Sequence, residues 1–307
     1  MSIQILHKGI ADSIQDIGRY GFQHLGIQPN GCMDIFSALL ANTILQNDIK
    51  APVIELHFPS SEIKFLEETI ICITGGNFIP VINEKSVELN TPILVQKNEV
   101  LSMLQPMKGK TAYIAIKSDY QEAKWLNSNA YSGNRFEKDQ IISFSKYLPN
   151  TSEMAQTLVS MLNPTLIKKV QDLVFMDAPI RILPGPAWQD LANNAITKLI
   201  SEPFSIKSQS NRMGFQLVGP SLALNIPNNY LSSAVTRGTL QLLPSGELIV
   251  LMADHQTIGG YANLGQIILV DLPRFAQMKP GQPFKFVLTN LETAQTLYRE
   301  MYASFKY

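Results

Sequence analysis

Residues 239–252 read TLQLLPSGELIVLM and decide the fold class. Two runs rich in Leu, Ile and Val flank Pro244-Ser245-Gly246, a composition typical of a hairpin turn. We therefore expect antiparallel strands at Thr239–Leu243 and Glu247–Met252. Similar short apolar runs, bounded by Gly, Pro and Asn, occur at Val53–Phe58, Thr69–Thr74, Val100–Leu104, Thr111–Lys117, Gln266–Val270 and Phe284–Leu288. The sequence thus predicts a mainly β protein with a few helices.

Three segments with helical spacing interrupt the strands. Asp34 is placed to cap a helix whose apolar positions are Ile35, Leu39, Leu40, Ile44 and Leu45. A second apolar stripe runs through Trp188–Leu199, and a third through Leu291–Met301. Each stripe is expected to face the core.

The length of 307 residues suits two domains. Lys146–Pro179 has weak periodicity and several prolines, with room for a short helix at Pro164–Val174. We predict an N-terminal β-barrel domain at 1–146, a connecting segment at 147–178 and a C-terminal β-barrel domain at 179–307. The echo of RYGFQ (19–23) in RMGFQ (212–216) favours two related halves.

Composition excludes several classes of protein. Lys and Arg together number 25, as do Asp and Glu, so a nucleic-acid partner is not expected. Cys32, Cys72 and the four scattered histidines form no metal motif, and two reduced thiols suit a cytoplasmic protein. No signal peptide and no apolar run near ~18 residues is visible, so no membrane association is expected.

Two stretches concentrate polar side chains beside glycines. In the first, Gln15, Asp16 and Arg19 precede Asn30 and Asp34. Arg19 could bind a carboxylate or phosphate with two hydrogen bonds. Alternatively, Asp16 and Arg19 pair with each other and fix a turn.

The second polar stretch follows the predicted hairpin. It contains Asp254, His255, Gln256, Thr257 and Tyr261, with Gly259-Gly260 among them. His255 could act as an acid or base, or simply make a structural hydrogen bond. Asp271 ends an apolar run, where a carboxylate needs partners such as Arg274 or Tyr261.

Common catalytic signatures are absent. The sequence has no GxxxxGK[ST], GxGxxG, HExxH or GxSxG motif. It therefore indicates no P-loop nucleotide site, zinc protease or usual α/β hydrolase.

Ile14–Asp34 and Leu251–Phe286 resemble the family called allophanate hydrolase subunit 2, or biotin-dependent carboxyltransferase-like. Its common bacterial members are the C subunits of an ATP-dependent 5-oxoprolinase. Shorter matching pieces are Ala41-Asn42, Asn47, Glu55, Thr74-Gly75, Pro184-Gly185-Pro186 and Asn211-Arg212-Met213-Gly214. The resemblance implies two cyclophilin-like β-barrel domains and a complex with subunits A and B. That complex uses ATP to open the lactam of 5-oxoproline, giving glutamate.

The resemblance also directs the choice of site residues. We predict Asp254, Asp271 and Asp16 as catalytic candidates, with Arg19 and Arg212 binding an anion. The predicted substrate-binding residues are Gln15, Arg19, Asn30, Asp34, Arg212, Gln256, Thr257 and Tyr261. No metal is predicted, and no motif shows where ATP, which the complex consumes, would bind.

One departure from the family and two alternatives remain open. The family's Gly-Ser-Arg-Ser-Thr-like motif corresponds to Asn127–Tyr131, which lacks the Arg, so the substrate could differ. The chain could instead be a biotin-dependent carboxyltransferase component, as in urea carboxylase. It could also be a non-catalytic regulator that opposes a kinase-inhibitor protein. The isolated chain is expected to be inactive as an oxoprolinase.

Overall fold

The computed structural model describes residues 1–130, 135–145, 150–225 and 230–305. Within these ranges the chain forms 18 strands and six α-helices. The predicted mainly β fold is therefore confirmed. Two curled, half-barrel sheets carry most of the strands, in agreement with the prediction of two β-barrel domains.

The contacts divide the chain into two compact units. Met1–Arg19 and Asn30–Phe175 belong to the first unit. Tyr20–Pro29 and the described residues from Met176 onward belong to the second. The predicted domain limits at residues 146 and 179 remain predictions, and residue 146 lies outside the described ranges.

The first unit contains a long antiparallel sheet and three helices. Its strands are β1 (Ser2–His7), β2 (Ser13–Gln15), β3 (Val53–His57), β4 (Glu62–Phe65), β5 (Thr69–Ile82), β6 (Lys85–Ser86), β7 (Pro92–Val95), β8 (Val100–Ile116) and β9 (Ile141–Ser143). Its helices are α1 (Ile35–Ile44), α2 (Thr151–Ser160) and α3 (Pro164–Phe175). The strand order is β2-β3-β8-β4-β1-β9, and β5 pairs with β6, β7 and β8.

Strand β8 is continuous where the sequence predicts two strands. Pro106 and Gly109 suggest a break between Val100–Leu104 and Thr111–Lys117. In the structure, β5 pairs along both parts, and the irregularity is absorbed by register shifts between Gly75 and Ile79. Pairing with a long partner strand overrides these local breakers.

The second unit contains the remaining strands and helices. Its strands are β10 (Ile180–Pro184), β11 (Ser205–Ile206), β12 (Gly214–Val218), β13 (Ser233–Ala234), β14 (Thr239–Leu242), β15 (Leu248–Leu251), β16 (Ile258–Gly259), β17 (Ala262–Ile267) and β18 (Phe286–Leu288). Its helices are α4 (Asn193–Ser201), α5 (Leu272–Gln277) and α6 (Leu291–Ala303). The main sheet has the order β11-β12-β15-β14-β17-β10-β18, and β13 pairs with β16.

The predicted hairpin between β14 and β15 is confirmed. Leu242 lies opposite Leu248, and the Gly246 amide donates to the Leu243 carbonyl at 2.9 Å. Gly246 has a φ of +84°, a conformation that glycine adopts without strain. The predicted strand at Gln266–Val270 is wrong in its second half, because β17 ends at Ile267 and a turn leads into α5.

Two predicted helices are confirmed: α1, which begins after Asp34, and α3 in the connecting segment. The Asp34 carboxylate accepts a hydrogen bond from the Ser37 amide at 3.0 Å and so caps α1. The expected helix near Pro164–Val174 is α3, which packs against α1. Helix α2 was not predicted.

The other two helix predictions need correction. A 3₁₀ turn at Trp188–Asp190 and α4 replace the single helix, because Leu191 and Ala192 have extended backbones. Helix α6 is present, and all of its residues are described. Met301 is the one buried residue among them, and Leu291 is 60% exposed. The predicted helix α6 is thus confirmed, but its apolar side is only partly covered, with Ala294, Leu297 and Tyr298 half-buried. No helix in the described ranges is long and apolar enough to cross a membrane.

Candidate functional site

The Asp16 carboxylate accepts hydrogen bonds from several segments of the site in the first unit. Its Oδ1 accepts hydrogen bonds from the Gly18 amide and the Ser128 hydroxyl, both at 2.7 Å. Its Oδ2 accepts from the Asn129 amide at 2.7 Å, and its carbonyl accepts from the Cys32 amide at 2.9 Å. The carboxylate thus holds together segments that are more than 100 residues apart in sequence.

Arg19 holds the same region by its guanidinium, which is almost completely buried. Nη1 donates to Asn30 Oδ1, and Nη2 donates to the Ala130 carbonyl. The guanidinium carbon also lies 4.6 Å from the ring centroid of Trp125, within range of a cation–π interaction.

Arg19 and Asp16 therefore both fix the segment 125–130. This segment contains most of the stretch that departs from the family motif. Tyr131, the last residue of that stretch, lies outside the described residues.

The loop from Asn30 to Asp34 is held at successive residues. Asn30 and Gly31 have φ values of +56° and +98°. The Met33 amide donates to Glu55 Oε2 at 2.7 Å, and the Asp34 amide donates to the Tyr113 hydroxyl at 2.6 Å. A loop whose amides are bound by buried side chains is rigid, as a binding site requires.

A row of buried polar residues lies behind this loop. The register aligns Ser13 on β2, Glu55 on β3, Tyr113 on β8 and Thr74 on β5. The Tyr113 hydroxyl donates to Glu55 Oε2 at 2.9 Å. Burial and the nearby Glu55 raise the pKa of Tyr113, so its hydroxyl stays protonated and able to donate.

Gln15 lies on the same face of the sheet as this row. It is fully buried, and its Nε2 donates to the Ser13 hydroxyl at 2.9 Å. The opposite face carries apolar residues such as Ile14, Ile54 and Ile114, which belong to the core. Sequence reasoning did not assign Tyr113 or the polar row to the site. The sequence feature that could have indicated the polar row is the alternation of Glu55 and His57 with apolar neighbours in β3.

A second group of polar residues lies in the second unit. The Arg212 Nε and Nη2 atoms each donate to one oxygen of Asp254 at 2.9 Å. The Gln28 side chain donates from Nε2 to the Asp254 carbonyl at 2.9 Å. Arg212, predicted to bind an anion, therefore binds a carboxylate of its own chain.

The residues that follow Asp254 differ in exposure. His255 is buried, and its Nδ1 lies 2.5 Å from the Gln256 carbonyl; burial lowers the pKa of the imidazole. Gln256 and Thr257 are half-buried, and Tyr261 is 45% exposed. Gln256, Thr257 and Tyr261 are thus accessible, whereas His255 fits the structural alternative.

Asp271 stands apart, at the junction of β10 and α5. Its carboxylate accepts three hydrogen bonds from Arg181: from the amide at 2.8 Å, Nε at 3.0 Å and Nη2 at 2.6 Å. Arg274 Nη2 lies 3.0 Å from the same carboxylate. Arg274 also donates to the Ala178 and Pro179 carbonyls. This enclosure by two arginines favours a structural role for Asp271 over proton transfer.

Each unit holds some of the predicted site residues. The first unit brings together Gln15, Asp16, Arg19, Asn30 and Asp34. The second pairs Arg212 with Asp254, while Gln256, Thr257 and Tyr261 follow Asp254 along the chain and Asp271 lies in its own cluster. Among the described residues, no three His, Cys, Asp or Glu side chains are grouped so as to hold a metal ion.

The two echoed segments have different local structures. Gly214, in the second copy, begins strand β12, whereas Gly21, in the first, lies in a loop before the 3₁₀ turn at Gln23–Leu25. The two arginines also have different partners. Of the first copy, only Arg19 belongs to the first unit, so the five-residue echo does not mark equivalent positions in the two units.

Comparisons with known proteins identify the family. The family model for the carboxyltransferase domain, subdomain A and B, matches residues 25–288. The chain is 28% identical to the C subunit of the Haemophilus influenzae 5-oxoprolinase, across 97% of this chain and 94% of that protein. It is 27% identical to the Escherichia coli protein of the same name, across 95% and 93%.

Solved structures share the fold. The Kluyveromyces lactis urea carboxylase structure matches 99% of this chain with a TM-score of 0.85 and 23% identity. The chain spans 29% of that protein, and 17% of the urea amidolyase of Saccharomyces cerevisiae, to which it is 25% identical. Since the family model covers most of the sequence, this chain belongs to the family of the carboxyltransferase domain, subdomains A and B.

Proposed function

We propose that this protein is the C subunit of an ATP-dependent 5-oxoprolinase that opens the lactam of 5-oxoproline to glutamate. The observation that carries the proposal is the extent of the match. The alignment covers 94% and 93% of two 5-oxoprolinase C subunits, but 17% of the yeast urea amidolyase. The chain therefore matches nearly the full length of either C subunit and a small part of the amidolyase.

The chemistry explains the need for ATP. A lactam carbonyl is a poor electrophile, and hydrolysis of this five-membered ring is unfavourable near neutral pH. Transfer of the γ-phosphoryl group of ATP to the lactam oxygen would give a phosphorylated imidate and ADP. Attack of water at the ring carbon would give a tetrahedral intermediate that breaks its C–N bond, with the nitrogen leaving as the amine, and so forms γ-glutamyl phosphate. A second water would then hydrolyse this acyl phosphate to glutamate and phosphate.

Within this reaction, the first unit supplies a rigid polar loop. Asp16 and Arg19 position the 125–130 segment, and Glu55 with Tyr113 positions Asn30–Asp34. In the second unit, Arg212 and Asp254 fix the loop that presents Gln256, Thr257 and Tyr261. The substrate-binding roles predicted for Gln256, Thr257 and Tyr261 are part of the proposal. The need for subunits A and B is part of it as well.

The test is glutamate release from 5-oxoproline and ATP by the chain purified together with its A and B subunits. Complexes that lack this chain should be inactive, and so should the chain alone. A Tyr261→Phe variant in the complex should retain folding and reduce turnover if the accessible hydroxyl contacts the substrate. A matched control is Tyr298→Phe on helix α6.

A second candidate is a carboxyltransferase that works with biotin. The family model and the urea amidolyase relatives favour it. It requires a biotinylated carrier and a biotin carboxylase. Transfer of ¹⁴C from carboxybiotin to urea by the chain, with no ATP-dependent release of glutamate by the complex, would favour this candidate over the first.

A further inference from the structure

We propose that a cavity in the first unit binds a small planar heterocycle whose edge carries an amide-like donor and acceptor. The cavity has a volume of about 430 Å³ and lies beside Arg19 and Asn129. The choice of candidate ligands, the lactam ring of 5-oxoproline and the adenine ring of ATP, rests on the proposed function. Both present a flat ring with hydrogen-bonding groups in its plane.

The inner wall of the cavity is apolar and firm. Ile14, Phe136 and Ile142 line it, and all three are buried members of the core of the first unit. Residues that pack in the core have little freedom to collapse into a neighbouring space. The cavity therefore offers a preformed apolar surface, as most small-molecule sites do.

Aromatic side chains form another wall. Trp125 is 50% exposed, although large aromatic residues are usually well buried. Its main chain is fixed by reciprocal hydrogen bonds with Ser128, at 3.0 and 3.1 Å, and its ring lies next to the Arg19 guanidinium. Tyr120, also in the wall, packs on Phe144 at a centroid distance of 5.7 Å. A fixed, exposed indole is suited to stacking on a flat ligand.

Two side-chain amides supply the polar edge. Gln140 Oε1 accepts from the Glu137 amide at 3.0 Å, and Asn129 Nδ2 donates to the Glu122 carbonyl at 3.2 Å. Each amide has both a donor and an acceptor. Within the described ranges, Gln140 Nε2 is thus available as a donor and Asn129 Oδ1 as an acceptor. The pair complements a ring edge that offers one C=O or ring nitrogen and one N–H.

Trp125 gives a direct readout, since the chain has two tryptophans, Trp125 and Trp188. In a Trp188→Phe variant of the full chain, fluorescence reports on Trp125 alone. We expect saturable quenching by 5-oxoproline or by adenosine and ATP. Proline, which has the same ring and carboxylate as 5-oxoproline but lacks the ring carbonyl, should bind at least tenfold more weakly if the lactam is the ligand.

Saturation by 5-oxoproline assigns the cavity to the lactam, and saturation by adenosine and ATP assigns it to the nucleobase. The double variant Asn129→Ala/Gln140→Ala should weaken that binding at least tenfold with an unchanged melting temperature. Isothermal titration of the wild-type chain provides the same affinities if Trp188→Phe does not fold.

The proposal is overturned if neither ligand class binds, or if the double variant binds as tightly as the wild type. Binding is measured on this chain and glutamate release on the complex, so the two proposals can fail separately. An active complex in which this chain shows no such binding contradicts the cavity assignment alone. Binding to the cavity together with an inactive intact complex contradicts the proposed oxoprolinase function alone.

Discussion

Arg212 and Asp254 are joined through both their side chains and their main chains. The guanidinium makes two hydrogen bonds of 2.9 Å to the carboxylate, and the Asp254 amide donates to the Arg212 carbonyl at 2.8 Å. The two side chains are 13% and 7% exposed. This pair ties the loop after β15 to the turn that precedes β12, and so fixes the start of the polar stretch that the sequence singled out.

Breaking this pair should destabilise the chain measurably. Arg212→Met would leave the nearly buried Asp254 carboxylate without its guanidinium, and we expect a loss of about 2–3 kcal/mol in the free energy of unfolding. Lys207→Met, which removes a pair with the more exposed Glu247, should cost less than about 1 kcal/mol. Urea denaturation followed by circular dichroism measures both. Equal effects of the two substitutions would contradict the importance of the Arg212 pair.

Asp271 should prove necessary for folding rather than for proton transfer. Asp271→Asn would weaken the contacts of its fully buried carboxylate with Arg181 and Arg274, with an expected loss of about 3 kcal/mol or more. Asp172→Asn is the matched control, because Asp172 forms an exposed pair with Lys168 in α3 and should change stability by less than about 0.5 kcal/mol. A stable, folded Asp271→Asn protein that had lost only activity would support the catalytic prediction instead.

The stability of the first unit should depend on pH through Asp12. Burial raises the pKa of this carboxyl from 3.8 to about 6, although it accepts hydrogen bonds from the His57 and Ser61 amides at 2.6 Å. Between pH 3.8 and about 6, the Asp12 carboxyl is protonated in the folded state but ionised in the unfolded state. The stabilisation is therefore complete below pH 3.8 and is lost as the pH rises through about 6.

The shift in the pKa of Asp12 also sets the size of the expected effect. The rise in the pKa corresponds to roughly 3 kcal/mol as an upper limit. We expect Asp12→Asn to remove this fall in stability between about pH 4 and 6.5, as measured by thermal melts across that range. Asp177→Asn, at an exposed position, should leave the pH profile unchanged. Identical profiles for Asp12→Asn and the wild type would refute the assignment.

Gly31 should tolerate no side chain, because of its φ of +98° and its surroundings. A Cβ there would lie 2.9 Å from the Gly18 nitrogen and 3.1 Å from the Asp16 carbonyl oxygen. Gly26 has a similar φ of +76° with no atom within 4 Å of the Cβ position. We expect Gly26→Ala to cost about 1 kcal/mol from backbone strain alone. Gly31→Ala should cost clearly more, and comparable melting temperatures for the two variants would contradict the close approach.

Local patterns accounted for much of the fold. The β14–β15 hairpin, the Asp34 cap and helix α3 were predicted because apolar spacing, a capping carboxylate and turn residues are all encoded within a few positions. The errors occurred where distant pairing decides the outcome. Strand β8 continues past Pro106 because β5 pairs with it, and α6 is more exposed than its apolar spacing suggested.

The candidate site was predictable in composition but not in its contacts. Asp16, Arg19, Asn30 and Arg212 were named, yet the partners that bind them were not. The Asp16 carboxylate meets Ser128 from 112 residues away, and Glu55 meets Met33 from 22 residues away. No local pattern encodes such pairs, so the sequence could not show that these charged groups are already occupied within the chain.

The most direct test of the account is glutamate release by the complex of this chain with the proposed A and B partner subunits. With 5-oxoproline and ATP, we predict one glutamate and one ADP formed per turnover, and no release when this chain or ATP is omitted. An intact, folded complex that releases no glutamate from 5-oxoproline in the presence of ATP would contradict the account.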